Sequence, residues 1–362
     1  MSPKVSVLIP LYNRKHYIAM CIDSALNQTF QDFEIIVRDN CSTDGSFDFV
    51  KERYSKQISE GKIKLFQNEK NLGEFPNTNK LILEAEGKYF TVLHSDDLYL
   101  PHALQHLYEV AEQFQADVVH GSYRLMSPKD GVIQEGTQLI PHCIDTKPVQ
   151  EITVISDDPM ERFYQWVDNG TFVDLQYNMF NRKFFLSECL CPGAIAEKMS
   201  ELHVLHLYWI MKAKTLVKTP VVFYVRREAP DSWSNNTKKD GLNIREEITR
   251  RLNLCQNFEH IFCELKFFDE HPEQVILAKM KFMSCLYWDL VQRGLYRDGI
   301  TPEIDKAVRE SFEKFLGVYA DFPTYLFHLL NVMQLNYGAE RYVLENYKKN
   351  ISTVVNMTST EK

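Results

Sequence analysis

Short apolar runs and stretches of helical periodicity take turns along the first third of the chain. Val5 to Pro10 is an apolar run closed by a proline, the pattern of a buried strand. Ile18, Ile22, Ala25 and Leu26 follow at helical spacing. Phe33 to Val37 is a second apolar run, Ser46 to Tyr54 reads as a short helix, and Ile63 to Phe66 as a third strand. Thr78 to Ala85 predicts a helix, with Gly87 just past its end where glycine closes helices readily. Tyr89 to Leu93 is aromatic and β-branched, which predicts a strand. Pro101 suits the first position of a helix running to about Phe114, and Val118 to Tyr123 is the next strand. This alternation predicts a mostly parallel sheet with helices on its faces. Ligands in such sheets bind at the carboxyl ends of the strands, so the polar residues just after each strand carry the interest.

Ser127 to Pro148 is rich in glycine and proline and reads as a loop or hairpin. Phe163 to Val167, Tyr177 to Phe180, Val204 to Met211 and Val221 to Val225 are further elements of mixed type. The character changes at Arg226, where a polar stretch with Pro, Ser, Asn and Gly reads as a linker. From Leu242 the pattern is almost wholly helical. The expected organisation is a catalytic domain over 1–225, a linker over 226–241 and a helical accessory region over 242–350.

Composition narrows the partners. With 362 residues the chain has room for one catalytic domain and an accessory one. A hydrophobic share of 44% and a charged share of 25% are ordinary globular values. The formal net charge of -8 disfavours nucleic acid, and no basic cluster exceeds Arg226-Arg227 or Arg250-Arg251. The opening segment reads as a strand and not a signal peptide, and no apolar run reaches the roughly 20 residues that span a bilayer. Eight scattered cysteines without a CxxC pair fit reduced thiols in the cytoplasm. The expected location is therefore cytoplasmic, with peripheral attachment at the inner face of the membrane left open.

Three polar clusters sit at the ends of predicted strands: Leu11 to Arg14, Arg38 to Gly45, and His94 to Asp97. Asp96-Asp97 offers adjacent carboxylates for a hard divalent cation, which takes one or two carboxylates plus substrate phosphates. The plainer alternative is a cap for the helix that follows. Ser42 to Gly45 is equally good turn chemistry.

Together, VSVLIPLYNR, QTFQDFEIIVRDNCSTDGS and the NLG…N…EAEGKYFTVLHSDDLYLP segment resemble the family 2 glycosyltransferases of the GT-A fold. The resemblance covers about residues 1–125 and is loose to about 230. It implies a Rossmann-like mixed α/β sheet with helices on both faces, followed here by a C-terminal helical region. It implies that Pro10, Leu11 and Tyr12 line the nucleoside and that Asp39 meets the base. A carboxylate accepts from the imide N–H of uracil or thymine, or from guanine N1–H, and cytosine has no such hydrogen. Asn71, Gly73 and Asn79 match the family's NxG…N stretch near the nucleotide, Ser95 belongs to the same nucleotide-binding set, and Asp96 matches the metal-binding acid of the DxD motif. Mg²⁺ or Mn²⁺ is the implied cofactor. Arg38, His94 and Thr78 depart from the family pattern, and His94 is a poor hard-cation ligand beside oxygen donors.

The reaction implied is an inverting transfer from a nucleoside-diphosphate sugar, of the uridine type, to a hydroxyl on a saccharide or lipid-linked acceptor in cell-surface polysaccharide or glycoconjugate synthesis. Counting back from the Val221 to Val225 strand places the family's acid near Glu201, the expected general base, with Glu197 its rival. A first-turn acid favoured by the helix dipole is the alternative use of Glu201. A non-catalytic nucleotide-sugar-binding or scaffolding protein on the same fold is the competing function, favoured by Arg38 and His94. A Rossmann dehydrogenase is disfavoured by the missing GxGxxG. His203 and His206 lack a third ligand at suitable spacing and read as partly buried helix residues. Trp233 reads as an acceptor-stacking or loop-anchoring residue, and the stripe from Phe267 through Phe282, Tyr287, Trp288 and Tyr296 as helical core. The C-terminal helices are expected to serve the acceptor, an oligomer contact or, around Phe322 to Met333, a membrane surface, with packing on the catalytic domain the simplest cover for their apolar faces.

Overall fold

Strand β1 (Val5–Leu11) is buried at every position but the half-buried Pro10, and β2 (Phe33–Asp39) is buried throughout. Continuous burial of this kind belongs to strands covered on both faces, and both lie in a parallel part of the sheet. The computed structural model describes residues 2–126, 150–169, 175–189, 202–227, 265–272, 274, 275 and 278. After β1 come α1 (Ile18–Leu26), β2, α2 (Ser46–Arg53), a single turn at Ser55–Ser59, and β3 (Ile63–Gln67). Then follow α3 (Glu74–Glu84), β4 (Tyr89–Val92), the two-residue β5 (Leu98–Tyr99), α4 (Ala103–Phe114) and β6 (Val118–Met126). β7 (Thr153–Ile155), α5 (Pro159–Asn169), β8 (Asn178–Asn181), the helix Leu202–Lys212 and β9 (Leu216–Arg227) complete the sheet.

Among the described residues the strands run in the order β3-β2-β1-β4-β8-β6-β9-β5, with β7 paired to β9. The β3-β2-β1-β4 block is parallel, and β8 enters antiparallel between β4 and β6. The sheet is thus mixed, where alternation alone suggests mostly parallel strands: β8 and β9, from beyond the alternating stretch, make the antiparallel pairings with β4, β6 and β5. Val5, Val7, Ile9 and Leu11 pack into one core with Ile18, Ile22, Leu104 and Leu107 of α1 and α4. The helix Glu74–Glu84 packs on β1 and β2 outside that core, so helices cover both faces.

Three local readings change. The third helix starts at Glu74, four residues before Thr78, because Pro76 falls in its first turn, where a proline costs no hydrogen bond. Gly87 does not cap it: the helix ends at Glu84 with Ala85 extended. Glycine is needed there because a Cβ would stand 2.7 Å from both the Ser6 nitrogen and the Tyr89 oxygen. Ser6 Oγ accepts the Gly87 N–H at 2.9 Å and donates to buried Glu34 at 2.6 Å, so this glycine lets β1 and the entry to β4 close on each other. Likewise Pro101 lies ahead of the fourth helix, which begins at Ala103 after His102.

The chain divides into two compact units, Met1–Trp166 with Gly170–Pro230, and Val167–Asn169 with Asp231–Lys362. In the second, the described helix Lys266–Glu270 buries Phe267 and Phe268, whose rings meet edge to face at 5.1 Å. Phe282, Tyr287, Trp288, Tyr296, Trp233 and the Phe322 to Met333 segment lie outside the described residues.

Candidate functional site

The parallel register brings the loops after β1, β2 and β4 to one edge, because Leu11 stands beside Asp39 and Leu8 beside Val92. Side chains then tie the loops together. The Asn13 amide donates to Ser42 Oγ at 2.9 Å, and Asn13 Oδ1 accepts from the Thr43 amide at 2.8 Å. Asn13 and Cys41 hold positive φ values of 50° and 64°, which turns both loops sharply. The Arg14 amide donates to Ser46 Oγ at 3.1 Å, and its Nε to Asp96 Oδ2 at 3.1 Å, joining the first loop to the third.

Asp39 is fully buried at the end of β2. Its Oδ2 accepts from the Ser42 amide at 2.9 Å and Gln67 Nε2 at 3.1 Å, while its Oδ1 has no hydrogen-bond partner. A buried carboxylate oxygen without a donor is costly, and such orphans call for an explanation.

Asn40, next along, is a hub that sequence reasoning missed. Its Nδ2 donates to Asn71 Oδ1 at 2.8 Å and to the Gly73 carbonyl at 3.1 Å, and its Oδ1 accepts from the Leu72 amide at 2.9 Å. Asn71 Oδ1 also accepts the Gly73 amide at 2.8 Å. Asn71 and Gly73 are therefore held against the β2 loop, and Gly73 adopts φ 86° as it leads into the helix. Asn79 sits half-buried on that helix, while the amide buried in the network is that of Asn77, bonded to Asn68 and to the Arg38 carbonyl.

Arg38 points the other way. Successive strand residues face opposite sides, and Arg38 leaves Asp39 behind to stack on Phe66 at 4.6 Å, pair with Glu84 at 3.2 Å and donate to Asn68 at 3.3 Å. It braces the sheet against the helix Glu74–Glu84 and does not share the edge with Asp39.

The two acids of the third cluster differ in kind. Asp97 is buried, accepting the Tyr224 hydroxyl at 2.6 Å and the Arg227 amide at 2.7 Å, one on each oxygen. Burial, then the neighbouring charge of Asp96, push its carboxyl up from the ordinary carboxylate range, and the two donors oppose that rise. Asp97 is thus an anchor between this loop and the end of β9. Asp96 is half-buried, with Oδ2 against Arg14 and Oδ1 left for another partner. Ser95 is buried, and His94 Nε2 lies 3.8 Å from Glu74 Oε1. Cys21 donates its thiol to the His94 carbonyl at 3.3 Å; burial, with the acids behind it, pushes that thiol up, so it stays protonated. Pro10 is half-buried, Leu11 buried, and Tyr12 exposed at 43% beside them.

Among the described residues no group of three or more His, Cys, Asp or Glu side chains converges. One available carboxylate, Asp96, does fit Mg²⁺ or Mn²⁺, since these ions take one or two carboxylates and complete their shell with water and substrate phosphates. Glu201 and Glu197 lie outside the described residues. His203 and His206 fall in the helix Leu202–Lys212.

A family model described as glycosyl transferase family 2 matches residues 6–190. Glycosyltransferase GlyG of Streptococcus pneumoniae serotype 4 is 30% identical over 314 residues, covering 81% of this chain and 99% of that protein. The putative teichuronic acid biosynthesis glycosyltransferase TuaG of Bacillus subtilis is 34% identical over 137 residues, 38% of this chain and 51% of its own length. The structure of S. aureus TarS 1-349 in complex with UDP-GlcNAc aligns with a TM-score of 0.61 at 15% identity, over 96% of this chain and 92% of that one, which shows a shared fold.

Proposed function

The chain belongs to glycosyl transferase family 2, and from that premise we propose that it moves a sugar from a uridine-type nucleoside diphosphate to a hydroxyl acceptor, with inversion, in cell-surface polysaccharide or glycoconjugate synthesis. The observation that carries the donor reading is the orphaned Oδ1 of buried Asp39. The imide N–H of uracil supplies the missing donor, and cytosine cannot. Asp39 is fully covered, so the base has to displace its cover to reach it. A neighbour of the same fold solved with UDP-GlcNAc, and a relative named for teichuronic acid biosynthesis, support the donor and the setting.

Tyr12, exposed beside Leu11, offers its ring face to the base. Asn40 fixes Asn71 and Gly73 beside the same edge, so the nucleotide meets a loop already held in place. Asp96 would hold Mg²⁺ or Mn²⁺, and that ion, when bound, neutralises charge on the departing diphosphate. Asp97 keeps the Asp96 loop in position through Tyr224 and Arg227. Glu201 remains the proposed base that removes the acceptor's proton, on the family resemblance alone. The non-catalytic alternative loses Arg38 as support, because its guanidinium is committed to Phe66, Glu84 and Asn68.

A thermal-shift comparison of UDP and CDP with Mn²⁺ tests the donor reading, since a ligand of the native state raises its melting temperature. UDP should raise it and CDP should do so far less. Equal shifts would remove Asp39 from base recognition. Donor hydrolysis with and without Mn²⁺ separates enzyme from binding protein: no turnover in either condition would count against catalysis.

A further inference from the structure

We propose that Gln176 reads the sugar of the donor: its buried amide oxygen accepts a hydroxyl or acetamido N–H of the hexosyl ring and so sets which UDP-sugar is used. The inference rests on the uridine-type donor reading above. Gln176 is 6% exposed, and among the described residues its Oε1 has no hydrogen-bond partner. Buried amide oxygens are nearly always paired, because an unpaired one keeps the full cost of leaving water.

The residues on either side are committed. Leu175 is buried, and Tyr177 stacks on Tyr123 at 4.1 Å and meets Tyr224 edge to face at 5.3 Å. Asn178 Oδ1 lies 3.0 Å from His120 Nδ1. Gln176 is thus carried on a short turn, Leu175–Tyr177, that its neighbours hold in place.

Strand register locates that turn. β8 runs antiparallel to β4 with Met179 opposite Thr91, so the residues just ahead of β8 lie where β4 ends and the loop His94 to Asp97 begins. The turn packs on β4 and on β6. Across the sheet the strands follow the order β2, β1, β4, β8. Gln176 therefore stands one strand beyond the strand that leads to Asp96. It stands three beyond the strand that ends in Asp39, about 14 Å at the usual strand spacing. A nucleoside-diphosphate sugar presents base, ribose, diphosphate and sugar in that order. With the base at Asp39 and the diphosphate at Asp96, the next group along this edge is the sugar.

The chemistry agrees with the position. Diphosphate oxygens have no hydrogen to give, so an amide oxygen does not serve them, and the base lies too far off. Sugar hydroxyls and an acetamido N–H are donors. A site built to pair with one group rejects the analogue that points it elsewhere, because its own polar atom is then left unpaired. UDP-glucose, UDP-galactose and UDP-GlcNAc differ in this way, by the direction of one hydroxyl or its exchange for an acetamide.

Calorimetric titration of the full chain with UDP and these three sugars, all with Mn²⁺, tests the assignment. The parent should favour one of the three by about tenfold. Gln176→Met keeps the length of the side chain and removes the amide, so the preference should shrink to within about twofold. Its UDP affinity and melting temperature should match the parent. Gln176→Asn draws the amide back by one methylene and should flatten the preference too, which covers the case of a Met variant that does not fold. A parent without a preference, or variants that keep the parent's ranking, overturn the assignment. So does a folded Gln176→Met chain that loses UDP affinity, since the residue then serves the nucleotide. If the parent binds UDP no better than CDP, the donor reading fails and takes this inference with it. If UDP is preferred and the sugar ranking survives both substitutions, only the role of Gln176 falls.

Discussion

The Tyr224 hydroxyl donates to Oδ2 of Asp97 at 2.6 Å across a separation of 127 residues, and the Tyr224 hydroxyl oxygen in turn accepts the His94 amide at 3.2 Å. One phenol thus ties the loop after β4 to the last strand of the sheet. Tyr224→Phe removes both bonds at a buried position and leaves a carboxylate oxygen without its donor. Stability should fall by about 1–3 kcal/mol, read by chemical denaturation. Transfer should fall as well, because the Asp96 loop loses its brace. An unchanged denaturation midpoint would show that the bond is not a support.

Asp39→Ala should weaken UDP binding by about 1–3 kcal/mol in calorimetry, the scale of a hydrogen bond to a charged acceptor. The variant also deprives the Ser42 amide and Gln67 Nε2 of their acceptor. A melting curve must therefore accompany the titration. Unchanged affinity in a folded variant would exclude Asp39 from base recognition.

Arg38→Met offers the opposite outcome. It should cost about 1–3 kcal/mol of stability by leaving Asn68 Oδ1 without this donor and Glu84 without its cation. UDP affinity should stay as in the parent, since the side chain lies on the helix side of β2. A variant that keeps its stability and loses nucleotide would place Arg38 in the site.

Gly87→Ala should destabilise the sheet by about 1–3 kcal/mol, because the added methyl meets backbone atoms of Ser6 and Tyr89 that cannot rotate away. Denaturation midpoints measure this directly. A neutral result would mean that β1 and the turn before β4 shift apart freely.

Much of this layout is legible in the sequence. Buried parallel strands leave near-continuous apolar runs, so β1, β2 and β4 were plain, and with them the loops that bear Tyr12, Asp39 and Asp96. The facing of Arg38 is also open to reading, since period-two alternation puts neighbours on opposite sides of a strand, yet as a departure from the family pattern it counts in the sequence as a sign of a non-catalytic protein. The start of the helix at Glu74 was hidden by Pro76, which looks like a breaker unless placed in the first turn. The division of labour between Asp96 and Asp97 was not legible at all. Adjacent identical residues differ here only through partners from β9, more than a hundred positions on, and pairings over such distances leave no local pattern.

The pinning of Arg227 has a wider consequence. Its amide is held by Asp97, its guanidinium lies over the Tyr17 ring at 5.0 Å, and the second unit takes up the chain at Asp231. The end of β9 is thereby fastened both to the loop that carries Asp96 and to the residue that opens α1, so these three segments hold a common position and a shift of any one is carried to the others.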